Sequence, residues 1–125
     1  MHWSNRTSGT LTEQTYLDSK RRNAELAGRQ GIDAALEQYH LDALLILGDD
    51  DVNDLAARAG YPSITVPAGY AATGIIESGG YTTKGPHGVT FVGTAYSEPT
   101  LIRLAYGYEQ ATKHRVPPNL KQIKD

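Results

Sequence analysis

Apolar residues first fall into a rhythm at Leu17, Ala24 and Ala27 and then at Ile32, Ala35 and Leu36, at spacings that keep them on one side of a helix. Thr12, with Thr15 as competitor, offers the hydroxyl that an N-cap needs. Gly28 and Gly31 each disfavour helix by ~1 kcal/mol relative to alanine. The pattern therefore predicts one bent helix, or two in series, ending near Tyr39. Leu41–Leu47 follows with five consecutive apolar residues and reads as a buried strand closed by Gly48. Val52, Leu55, Ala56 and Ala59 share one face of a short helix, with aspartates at its positive end and Gly60 just past its C-terminus.

Ser63–Val66 is the second strand, and Pro62 and Pro67 confine it to an edge or to its ends, because proline cannot donate to a ladder. Ala68–Gly88 contains six glycines and reads as a long turn-rich excursion or a hairpin. Val89–Val92 is a further strand. Ser97 then offers an N-cap ahead of Glu98 and Pro99, and Leu101, Ile102, Leu104, Ala105, Tyr108 and Ala111 give the last helix a wide apolar face. Pro117 and Pro118 end the pattern. The organisation expected is a loose or artificially appended start at 1–10, one α/β domain over 11–116 and a loose tail at 117–125. The fold class is α/β: a small mixed sheet of about three to four strands, packed by an N-terminal bent helix and a C-terminal helix.

Composition narrows the chemistry. With 125 residues the chain is about one domain, and its 39% hydrophobic content implies a thin core or faces that something else covers. A net charge of -2 provides no broad attraction to nucleic acid or to an anionic membrane. There is no cysteine, which removes disulfides, thiolate nucleophiles and Cys-containing metal sites and fits a cytoplasmic protein. No apolar run approaches the ~20 residues that span a bilayer, and the polar start lacks the core of a signal peptide.

Ser78-Gly79-Gly80, with Lys84 nearby, lacks both a second serine and the surrounding glycines of a nucleophile loop, and reads as a turn. Ile76 stands where a G-x-S-x-G elbow needs glycine. Asp49, Asp51 and Asn53 match the first ligands of a calcium loop, but Asp54 replaces its turn glycine and Gly60 its bidentate glutamate. His2, His40, His87 and His114 show no zinc-ligand spacing. No phosphate-loop pattern occurs, and the eight tyrosines lack an interleaved basic stripe. No catalytic, cofactor-binding or metal residue is assigned, no cofactor is expected, and Ser63 and Thr65 read as structural hydroxyls.

The run Ala59-Gly60-Tyr61-Pro62-Ser63-Ile64-Thr65-Val66-Pro67-Ala68-Gly69-Tyr70 resembles the carboxy-terminal end of the amidase signature family. So do Gly88-Val89-Thr90-Phe91-Val92-Gly93, Ser97-Glu98-Pro99-Thr100-Leu101-Ile102 and, upstream, Gly31-Ile32-Asp33-Ala34-Ala35-Leu36 with Leu41-Asp42-Ala43-Leu44-Leu45, in the family's order. The family's serine nucleophile, second serine in a cis peptide and lysine lie far upstream of this region. The resemblance therefore implies a carboxy-terminal amidase fragment, inactive alone, whose parent hydrolyses amide C–N bonds. Two departures stand out: Gly48 and aspartates where the family places proline, and a longer connection over Gly74–Pro86. Three alternatives are a self-standing binding or assembly module derived from the amidase tail, an A subunit of a glutamyl-tRNA amidotransferase, and a small hydrolase with an unrecognised Ser-His-Asp site. A fragment would leave faces bare, so the expected partners are the missing catalytic half and further copies of the chain, as a symmetric dimer.

Overall fold

The computed structural model describes residues 8–47, 51–76 and 82–117. The N-terminal pattern folds as one continuous helical run: α1 (Gln14–Ala24), a π-helical segment (Glu25–Asp33) and α2 (Ala34–Tyr39). The glycines do not break it: of the two expected arrangements the run is a single helix, with Gly28 and Gly31 inside the π-helical segment. Glu13, not Thr12, occupies the N-cap and makes no side-chain cap. Instead its carboxylate accepts from the Ser8 amide at 2.8 Å and from the Ser8 hydroxyl, which folds residues 8–10 onto the helix start. Those two donors hold the Glu13 carboxyl below its ordinary value. His40, left-handed at φ 51°, ends α2, and the Leu41 amide returns to the Leu36 carbonyl at 2.9 Å.

Three strands form the sheet, in the order β1 (Leu44–Leu47), β3 (Thr82–Val92), β2 (Ser63–Ile76). The α/β class and the strand number are as expected, but both ladders are antiparallel, so these strands do not make a mixed sheet. The glycine-rich excursion is a hairpin: β2 and β3 stay paired as far as Ile76 and Thr82. The short helix α3 (Val52–Ala59) ends at Gly60, whose φ of 72° suits glycine. At α4 (Glu98–Thr112), Ser97 holds the N-cap position, yet its hydroxyl donates to the Thr94 carbonyl at 2.7 Å rather than capping the helix. Gly48, Asp49 and Asp50, the Ser78–Tyr81 turn and the tail beyond Pro117 lie outside the described residues.

Each face of the sheet carries its own core. Ile46 and Val92 point to one side and meet Ile32, Leu36 and Ala56 from the helices that precede β2. Val66 and Phe91 point to the other and meet Leu101 and Ala105 of α4, where Tyr108 stands edge-on to Phe91 with ring centroids 6.1 Å apart. Alternation along each strand divides the two sets. The buried-strand expectation for Leu41–Leu47 is corrected here: the strand begins at Leu44, and Leu45 and Leu47 are 57% and 41% exposed. On α4, Ile102 is likewise exposed, while Leu101 and Ala105 carry the contact.

Candidate functional site

The described polar groups converge most closely at Asp33, the last residue of the π segment. The Tyr61 hydroxyl donates to Asp33 Oδ2 at 2.6 Å, and the Thr94 hydroxyl donates to Asp33 Oδ1, also at 2.6 Å. One carboxylate thus ties three segments far apart in sequence: the helical run, the turn from α3 into β2 and the turn from β3 into α4. The tyrosine reaches it because Gly28 leaves room. A Cβ there would meet the Tyr61 oxygen at 3.0 Å, so any larger side chain would displace the ring. The Gly93 amide donates to the Pro62 carbonyl at 3.2 Å and closes the same junction.

Electrostatics make this a tie rather than a reactive centre. Donation to the Asp33 carboxylate, with burial second, raises the Tyr61 phenol above its ordinary value, because losing that proton would break the bond and set two anions together. A phenol so held is a poor general base near neutral pH. An open cleft beside the tie is lined by Glu37, Leu41, Asp42, Ser97 and Thr100. Its serine already gives its proton to a backbone carbonyl, so it has no base to activate it. Ser8 does contact a carboxylate, Glu13, but Ser8 is exposed and Glu13 half-buried at the helix entry, where the bond serves to order the chain.

The residues singled out from sequence scatter. Lys84 is exposed on β3, and Ser78 lies outside the described residues. Asp54 pairs with Arg58 across one turn of α3 at 3.7 Å, a surface pair worth little. Asp51 and Asn53 start the same helix. Among the described residues no three of His, Cys, Asp and Glu gather as a metal site. Thr65 and Thr90 share a cross-strand hydroxyl contact of 2.7 Å, with Thr90 buried, which gives Thr65 the structural role expected of it. What sequence reasoning missed is the tie itself. Asp33, Tyr61 and Thr94 each fall in or beside a recognised motif, but no spacing rule joins them.

No helix among the described residues is long and apolar enough to cross a membrane. No protein-family model matches the chain. Individual relatives do. A protein of Arabidopsis thaliana named as a probable amidase is 44% identical over 90 residues, which are 72% of this chain and 15% of that protein. The A subunit of a glutamyl-tRNA(Gln) amidotransferase of Oceanobacillus iheyensis is 33% identical over 73 residues, 58% of this chain and 13% of that subunit. Among solved structures, the peptide amidase of Stenotrophomonas maltophilia superposes with a TM-score of 0.76 at 38% identity, over 95% of this chain and 24% of that enzyme. With sequence and backbone agreeing over nearly its whole length, the chain belongs to the amidase signature family and spans less than a quarter of each of these relatives.

Proposed function

We propose that these residues form the carboxy-terminal part of an enzyme that hydrolyses amide C–N bonds, and that the groups acting on the amide are supplied by other parts of that enzyme. The observation that carries this is the match to a peptide amidase over 95% of the chain but only 24% of the enzyme. The local chemistry agrees with it. A serine needs a base within hydrogen-bond reach and donors for the oxyanion. Ser97 donates to a carbonyl, and the Asp33 carboxylate is already engaged by two hydroxyls. In this reading the region acts as scaffold: the Asp33 tie fixes how the helical layer, the hairpin and α4 meet, so that a reaction centre elsewhere keeps its walls. The amidotransferase reading rests on lower identity over fewer residues. A cytoplasmic setting completes the proposal, supported by the absence of cysteine.

Hydrolysis of an aryl amide, assayed for the 125-residue chain and for the product of its whole reading frame, tests the proposal. The expected result is turnover by the latter and none by the former. Turnover by the chain alone, abolished in Ser78→Ala, would overturn it.

A further inference from the structure

Two irregularities in the ladder shape the outer half of the β2–β3 hairpin. Between Pro67 and Gly69 two steps along β2 face one along β3, and between Ala71 and Ile75 four steps face two. Bulges of this kind bend a strand and re-aim its side chains. Gly69 and Gly74, at φ 139° and 95°, supply backbone conformations that other residues rarely adopt. Between the two bulges Gly69, Tyr70 and Ala71 remain paired with β3, so the bend is held by its ladder. Ile75, just past the second bulge, belongs to the Gly74–Pro86 connection, where the chain departs from the family pattern.

An open pocket of about 230 Å³ lies where this bent ribbon meets the end of β1. Leu47, paired with Val89, forms one side, and His87, two residues from Val89 on the same face of β3, forms another. Ala68, Tyr70, Ala71 and Ile75 of β2 complete it. Size and lining both restrict what it can hold. A cavity of ~150 Å³ takes one benzene ring, whereas drug-sized ligands need roughly 300 Å³ or more. No Asp, Glu, Lys or Arg lines the pocket, so a charged group would enter without a counter-ion. Tyr70, 73% exposed, offers a ring for a flat guest to cover.

We propose that this pocket binds a single uncharged aromatic ring, the aryl group of the amide that the complete enzyme hydrolyses. The inference rests on the amidase reading above and adds to it a substrate class, aryl-bearing amides in preference to aliphatic ones. An aliphatic group of similar size buries comparable apolar area on Leu47 and Ile75 but loses the ring-on-ring contact with Tyr70, a difference of about fivefold in affinity. The two bulges give the preference its physical basis: without them Tyr70 and Ile75 would continue a flat ribbon and leave no concavity beside Leu47.

Titration of the 125-residue chain with phenylacetamide and with the aliphatic isovaleramide, followed at the His87 imidazole resonances, tests the pocket itself. Phenylacetamide should shift them saturably and bind about fivefold more tightly than isovaleramide. Tyr70→Ala should abolish that preference, while Tyr106→Ala, which removes a comparably exposed tyrosine on α4, should leave it within about twofold. In the product of the whole reading frame, Tyr70→Ala should lower kcat/KM for phenylacetamide about fivefold and leave kcat/KM for isovaleramide unchanged. Equal affinity of the free chain for the two amides, or equal loss from Tyr106→Ala, would overturn the proposal even if hydrolysis persists. Selective binding by the free chain beside an unaltered kcat/KM ratio in Tyr70→Ala would overturn it too, because the pocket would then take no part in the choice of substrate. Selective binding without hydrolysis of either amide by the whole product would support the ring pocket and count against the amidase reading.

Discussion

β1 and β2 flank the same strand and show how differently two neighbours can be held. β2 pairs with β3 along the hairpin through two irregularities, and its head is anchored outside the sheet by Tyr61 on Asp33. β1 has four residues, one regular ladder and one buried side chain, Ile46. The long strand is secured by many weak contacts and is closed to additions. The short one depends on a single apolar anchor and, among the described residues, has a strand on one side only.

Breaking that anchor should have the largest effect. Ile46→Ala removes the side chain that seats β1 among Ile32, Leu36 and Val92, and should cost about 3 kcal/mol in urea unfolding. The hairpin should give way next. At Gly74 φ is 95°, and an added Cβ would come within 2.4 Å of Thr82 Cγ2 and 3.0 Å of the Thr83 carbonyl oxygen. Gly74→Val should therefore cost about 2 kcal/mol, seen first as faster hydrogen exchange in the hairpin while the helical core holds.

The anchor of β2 is weaker and depends on pH. Tyr61→Phe should cost about 1 kcal/mol near neutrality. Because the folded-state phenol is raised, its contribution is complete below the unfolded value of 10.0 and is lost as pH rises through the folded value. Urea midpoints taken from pH 8 to 12 should therefore fall more steeply in the parent than in Tyr61→Phe, and parallel curves would remove the tie from the stability of the fold. The smallest effect belongs to the open face of β1. Leu45→Lys in the free chain should change stability by no more than about 0.5 kcal/mol, a direct contrast with Ile46→Ala one residue away.

Much of this architecture was legible beforehand where a local rule acts alone. Gly60 ends α3 because the left-handed residue after a helix suits glycine, and Tyr39 ends the first helical run as the periodicity predicts. Pro62 and Pro67 place β2 at an edge because proline has no amide to share. The family motifs, in their order along the chain, imply the fold. Local rules misread two places and left a third undecided. Gly28 and Gly31 allowed either one bent helix or two in series, and a π turn keeps the run continuous while Gly28 admits the Tyr61 ring. Ser97 has the right residue type for a cap, yet its hydroxyl found the Thr94 carbonyl first. Five consecutive apolar residues in Leu41–Leu47 promised burial on both faces, and one face is open.

By itself the amino-acid sequence determined the element types, the family and the want of a recognisable nucleophile motif, since each follows from residues close in the chain or from motif order. Tertiary structure alone decided the Asp33–Tyr61–Thr94 tie and the contrast between the sheet's two edges. The tie joins residues 28 and 61 positions apart, and openness of an edge depends on which strand ends up beside it. Neither is a property of any local run: a hydrogen bond between distant segments and an unpaired strand exist only once the sheet has chosen its order.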